Sequence, residues 1–307
     1  MDEPVLLTGA GGRVGQAILR GIGDDYEWRL LDREPLPAAK VPDGVTDADR
    51  YVADITDERG VREAMRGVGA VIHLAGDPRK TAPWDSVLRN NIDGTQVVMR
   101  AAVDEGVEKF AFASSNHAVG GYETDDRTPD LYRPGDDYRL DGTELPRPGN
   151  LYGVSKATGE ALGRLYHDEH GMSVVCVRIG NLTKDHPPRE YERGQAMWLS
   201  HRDCAHLFDR CLQADYGYEI VYGISNNDRR YYSIERAREA LGYDPADNSA
   251  NYTFEGEPKD GDADPDGGDS GDGIDPDGGI DPDGGIDPAV TEEPNFPSDP
   301  DTPTDGA

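Results

Sequence analysis

The chain has 307 residues, with 61 acidic against 31 basic side chains and a formal charge of −30. That balance excludes ordinary nucleic-acid binding, which needs clustered Lys and Arg against phosphates. Only six of the basic residues are Lys, and together with the Asp and Glu excess this resembles proteins of salt-loving archaea, whose self-repulsion high salt screens.

In chain order, the expected strands are Val5–Thr8, Arg29–Leu31, Arg50–Ala53, Ala70–His73, Lys109–Ala113 and Ser173–Ile179, mostly continuous apolar runs of the kind buried on both faces. Helical patterns lie between them at Arg13–Gly21, Glu58–Met65, Trp84–Glu105 and Tyr152–His170. The alternation predicts an α/β fold, a doubly wound parallel sheet of Rossmann type. Residues 1–180 are expected to bind the dinucleotide and 181–254 to form a small substrate lobe packed on them. From 255 to 307 the chain turns to Asp, Gly and Pro, with 18 acidic residues and one basic, and Ile-Asp-Pro-Asp-Gly-Gly at 274–279 recurs at 280–285. Such a segment cannot bury a core and is expected to be a disordered acidic tail rather than a calcium site. Cys176, Cys204 and Cys211 lack zinc or disulfide spacing, so no metal site is expected. No signal peptide and no run of about 18 apolar residues is evident, which leads to the expectation of a cytoplasmic protein with no membrane partner.

The first strand runs into Gly9-Ala-Gly-Gly12-Arg13-Val14-Gly15 at the head of the first helix, and Asp32 ends the second strand. Glycines there let backbone amides approach a pyrophosphate, and the acidic residue suits the adenosine ribose, repelling the extra phosphate of NADP. NAD is the expected cofactor. Arg33 either meets a 2′-phosphate or stacks on adenine. Asp54, Ile55, Leu74, Ala75, Gly76 and Ile179, at later strand ends, are expected to line the rest of the cleft.

Tyr152 and Lys156 share one helix face at i and i+4, so the ammonium is expected to favour the phenolate. Ser114 and Ser115 end the preceding strand, and either hydroxyl can hold a substrate oxygen. With the glycine loop and Asp32 in the same order, residues 1–254 resemble an extended short-chain dehydrogenase/reductase. The resemblance implies Tyr152 as general base, Lys156 on the nicotinamide ribose, Ser115 rather than Ser114 orienting the reacting oxygen, and Asn91 supporting a proton-relay water. Ala113-Ser-Ser-Asn-His117, Val177-Arg-Ile-Gly180 and Trp198-Leu-Ser-His-Arg-Asp203 are similar to uronate dehydrogenases, which oxidise an aldose at C1. The opening Pro4-Val-Leu-Leu-Thr-Gly, Asn181-Leu-Thr-Lys-Asp-His-Pro-Pro-Arg189 and Tyr191-Glu-Arg-Gly-Gln-Ala-Met-Trp198 are similar to haloarchaeal NAD-dependent glucose-6-phosphate dehydrogenases.

Substrate residues are expected in Asn116, His117 and Asn181 for sugar hydroxyls, with Lys184, Arg189, Arg193 and the pair Arg79-Lys80 for an anionic group at C6. His117 is open to a second reading as the base. Three functions compete: an NAD-dependent sugar dehydrogenase acting on a sugar phosphate or a uronate, a nucleotide-sugar epimerase that keeps its NAD, and a dinucleotide-binding scaffold. The resemblance also implies a homo-oligomer joined by the two long helices.

Overall fold

The structure, a computed structural model, describes residues 3–123, 139–183, 186–188 and 192–252. The acidic tail, Lys184 and Arg189 lie outside these residues. Strands β1 (Val5–Thr8), β2 (Trp28–Asp32), β3 (Arg50–Val52), β4 (Ala70–His73), β5 (Lys109–Ser115) and β6 (Ser173–Ile179) match the expected runs to within two residues. A short pair, β7 (Asn181–Leu182) and β8 (Trp198–Leu199), and a longer strand, β9 (Tyr218–Gly223), complete the set among the described residues.

Seven strands form one parallel sheet in the order β3-β2-β1-β4-β5-β6-β9. Successive strand residues face opposite sides, so an apolar residue at every position means that both sides are covered. Val5 and Leu7 pack with the helices Arg13–Ile22 and His201–Gln213, whereas Leu6 packs with Val61, Val98 and Met99 on the other side. The expected division at residue 180 cuts through this sandwich. The helix His201–Gln213 and β9 come from the supposed lobe, yet they cover and extend the sheet, and residues 1–263 group as one compact unit.

The helix expected at 84–105 is continuous but not uniformly α-helical. Trp84–Ser86 leads into a π-wound segment, Val87–Asp93, and then into α-helical Gly94–Asp104. Asn91 and Thr95 are buried, and Gly94 N–H bonds back to the Arg89 carbonyl.

One ion pair lies wholly inside. Arg178 on β6, with no exposed surface, meets Glu160 of the helix Leu151–His170 through two bonds of 2.9 Å. Its Nη1 also donates to the Tyr222 hydroxyl at 3.2 Å and the Glu144 carboxylate at 3.3 Å, and Ser114 donates to Glu160 at 2.6 Å. Burial alone would depress the guanidinium, but Glu160 and Tyr222 outweigh it and hold Arg178 above its usual range. Cys176, Cys204 and Cys211 are free and buried. Among the described residues no helix is long and apolar enough to cross a membrane.

Candidate active site

The strand order reverses between β1 and β4, and their carboxyl ends bound a crevice where doubly wound sheets take ligands. Gly9 turns there with φ of 70°, and a Cβ on it would meet Ala75 N at 2.9 Å, so the loops after β1 and β4 touch. A Cβ on Gly15 would strike the Ala10 carbonyl at 2.7 Å, and one on Gly11 would meet Leu36 at 2.9 Å and the Asp32 carboxylate at 3.1 Å. The helix beginning at Arg13 has no side-chain cap at Gly12, which leaves the amides of its first turn to a ligand. Val14 packs against the core behind the loop, and Arg13 donates to the Leu182 carbonyl at 3.1 Å. Asp32 accepts from Gly11 N–H and Arg33 N–H, both at 2.8 Å. Asp54 is held below its usual range by the Thr56 hydroxyl and amide, with Arg89 and Arg33 adding to the shift, and Ile55 beside it is buried. Leu74 and Ala75 are half-buried and Gly76 is exposed.

At the far end of the crevice, the helix Leu151–His170 starts at Asn150, whose side chain caps Gly153 N–H at 2.8 Å. The same amide reaches His117 Nδ1 at 3.2 Å. Since Asn150 Oδ1 is taken by Gly153, its Nδ2 donates here, His117 Nδ1 accepts, and the imidazole proton sits on Nε2. Burial, then Arg193, pushes His117 down to about 4. It is therefore neutral near pH 7, with the ring proton on Nε2.

Tyr152 lies edge-on to His117 at 5.8 Å, and the Ser115 side chain offsets part of the upward shift of its phenol. Lys156 Nζ donates to the Ala113 carbonyl at 2.7 Å and sits 5.4 Å from the Tyr152 ring centre. Here the expected bias is reversed. Burial pushes the Tyr152 phenol up to about 12, with Asp77 adding to the shift, and the Lys156 ammonium down to about 8 against the pull of Glu160. The adjacent serines are separated by strand alternation: Ser114 donates to Glu160, whereas the Ser115 oxygen accepts from His117 backbone N–H at 3.2 Å.

The Asn91 side chain ties the loop after β4 to the helix Leu151–His170. Its Oδ1 accepts from Asp77 N–H at 2.6 Å, and its Nδ2 donates to the Asp77 carbonyl at 3.0 Å and Ser155 Oγ at 3.1 Å, which uses both amide hydrogens and one of the two lone pairs. Arg79 is likewise committed, with bonds of 2.9 and 2.6 Å to the Asp77 carboxylate, and holds Asp77 well below its usual range. Lys80 is half-buried, and its charge acts on His117. Arg193 reaches the site too. It pairs with Glu123 and lies 3.2 Å from the Asn116 side-chain oxygen, with the amide turned so that its nitrogen meets the Ile179 carbonyl at 3.2 Å. Asn181, two residues past Ile179, pairs with Trp198 at the start of the short β7–β8 ladder. His73 is enclosed by Thr8 and Thr95 and pushed down to about 3 by burial, as a core group.

Asn150, Asp77, Ser155 and Glu123 belong to this site and were not singled out in the sequence. Asn150, an amide three residues before Gly153, carries a readable helix-cap signal; Glu123 carries none.

The sequence profile of the NAD dependent epimerase/dehydratase family matches residues 5–227. The chain belongs to that family. Two curated relatives of this NAD dependent epimerase/dehydratase family member come from Haloferax volcanii. The NAD-dependent glucose-6-phosphate dehydrogenase is 76% identical over 260 residues, covering 85% of this chain and 99% of the relative. The L-arabinose 1-dehydrogenase (NAD(P)(+)) is 36% identical over 259 residues, covering 80% and 97%. Among solved structures, a variant of the uronate dehydrogenase from Agrobacterium tumefaciens complexed with NAD superposes with a TM-score of 0.68 at 31% identity, covering 81% and 86% of the two chains.

The crevice of this family member fits NAD on its own geometry, since backbone leaves room only for hydrogen at Gly9 and Gly15 and a carboxylate stands at the end of β2. Asp32→Ala is expected to raise the KM for NAD about tenfold and narrow the preference over NADP, as it removes a charged acceptor and loosens Gly11. Initial rates with the two cofactors check this; an unchanged preference would place Asp32 away from the ribose.

Proposed function

We propose that this protein oxidises the C1 hydroxyl of glucose 6-phosphate to 6-phosphogluconolactone. The observation that carries the reading is the convergence of Tyr152, Lys156 and Ser115 at the crevice, with Arg193 one side chain from Ser115 across Asn116. The 76% identity to a glucose-6-phosphate dehydrogenase and the likeness to a 1-dehydrogenase support substrate and position. NAD, when bound, supplies the hydride acceptor.

In this reading Tyr152 removes the C1 hydroxyl proton as general base, and Ser115 holds the reacting oxygen. Lys156, fixed on the Ala113 carbonyl, supplies the positive charge that the phenolate needs. His117 donates from Nε2 to a ring hydroxyl while Asn150 keeps its tautomer. Arg193 and Lys80 face the anionic end, and Glu123 and Tyr232 steady Arg193.

A second reading is a uronate dehydrogenase. It is favoured by the commitment of Arg79 to Asp77, which subtracts one cation from those counted for a phosphate. One Arg satisfies a carboxylate bidentately, whereas a phosphate takes more donors. A substrate panel with NAD in concentrated salt, followed by absorbance of the reduced cofactor, separates the readings. Glucose 6-phosphate is expected to give the highest kcat/KM, and Arg193→Met to lower it about tenfold or more. A higher kcat/KM for glucuronate would return the site to the uronates.

A further inference from the structure

A carboxylate lies against the arginine at the anionic end of the site. The 3-10 segment Asn116–Tyr122, which follows β5, carries Asn116 and His117 at its head and ends at Glu123. The Glu123 side chain meets Arg193 of the helix Glu192–Ala196: one carboxylate oxygen accepts from Arg193 Nε, and the other accepts from the Tyr232 hydroxyl. Tyr232 is wholly buried and stacked on Tyr222 at 4.3 Å, so a fixed group holds the carboxylate in place. The side chains of Glu123 and Arg193 keep only 10% and 23% of their exposure, and salt therefore screens this charge less than one on the surface. Its reach extends beyond Arg193. After burial, Arg193, Glu123 and Lys80 all act on His117, the carboxylate against the two cations.

A fixed negative charge repels a ligand in proportion to the charge that the ligand carries. A neutral sugar does not feel it, a uronate feels it once, and a sugar phosphate at about pH 8, with its second proton gone, feels it nearly twice. We infer that Glu123 is a specificity-determining residue whose charge narrows the margin by which this site favours a dianionic sugar phosphate over a singly charged uronate. The inference rests on the reading that places the anionic end of the sugar at Arg193. A carboxylate that only aimed the guanidinium would instead act on both anions alike, and the test has to separate the two roles.

A ladder of ligand charge does so. Dissociation constants for glucose, glucuronate and glucose 6-phosphate are measured by calorimetry at about pH 8 and one salt concentration. The protein is saturated with NADH, which accepts no hydride, so binding is read without turnover. Glu123→Gln keeps the shape of the side chain, and its amide can still accept from Arg193 Nε and donate to the Tyr232 oxygen. It is expected to tighten glucuronate about fivefold and glucose 6-phosphate about 25-fold, and to leave glucose within about twofold. Glu123→Asp keeps the charge and should tighten neither anion. Should Glu123→Gln not fold, Glu123→Met combined with Tyr232→Phe, which removes the carboxylate together with its second donor, carries the same expectation. An equal change for the two anions, or looser binding of both, assigns Glu123 to aiming Arg193 alone and overturns the inference. So does a wild-type protein that binds neither anion more tightly than glucose. Glucose 6-phosphate that binds along this ladder but is not oxidised with NAD would sink the proposed reaction and leave the inference standing.

Discussion

Replacing Tyr152 by Phe is expected to lower kcat by about 10²–10⁴-fold while NAD still binds, because only the proton acceptor is removed. The pH profile makes the expectation sharper. Burial sets Tyr152 at about 12 and Lys156 at about 8, so the first proton to leave the two groups leaves Lys156, at about 8. Loss of that one proton also permits the tautomer with phenolate and ammonium, the form competent as a base. The wild-type kcat/KM should therefore fall as pH drops below about 8 and level off above it. Lys156→Met leaves a buried phenol pushed up to about 12, so its rising limb should move towards that value. Steady-state rates in concentrated salt from acid to alkaline pH check both. A Tyr152→Phe enzyme with most of its rate, or an unmoved limb in Lys156→Met, would sink the mechanism and return His117 as the base.

The largest effect on stability is expected from Glu160→Ala. It would leave the Arg178 guanidinium inside the sheet with Tyr222 and Glu144 as its remaining bonded partners and strip the Ser114 hydroxyl of its acceptor. Breaking one side of a buried pair costs about 3–5 kcal/mol. For a body of this size that lowers Tm by roughly 10 °C or more. Replacing both partners together, Glu160→Leu with Arg178→Met, should recover part of the loss, since an apolar pair needs no counter-charge. Thermal unfolding of the single and double variants checks this; a shift under roughly 2 °C for Glu160→Ala would mean that the pair contributes little.

Six strands were legible because most of the sheet is covered on both faces and the runs are mostly apolar. β9 escaped notice because Glu219 interrupts its run, where it meets Arg236 at the sheet edge. The helix His201–Gln213 does carry a readable stripe, Cys204, Leu207, Phe208, Cys211, behind the cap Ser200, and the emphasis on a separate lobe obscured it. At the site, the glycines, Asp32 and Ser115 were legible because each ends or follows a strand, and Tyr152 and Lys156 because they share a helix face at i and i+4. Partners were not legible in this way. Arg79 looks like a phosphate ligand in sequence, but folding sets Asp77 on its guanidinium. Arg193 and Glu123 are far apart in the chain and meet only through the fold. The direction of the Tyr152 shift depends on burial, which no spacing reveals.

The π-wound turn at Val87–Asp93 acts on alignment. In an α-helix every fourth residue advances about 40° around the axis, so Val87, Asn91 and Thr95 would fan out. The wider winding lags where the α-helix leads and so offsets that advance, and Val87, Asn91 and Thr95 are all buried. Asn91 then grips the Asp77 loop and Ser155 while Thr95, one step along, reaches His73 under β4. The crevice and the core are thus indexed to each other by one local change of pitch, and shortening this turn by one residue would free either end only by dislocating the other.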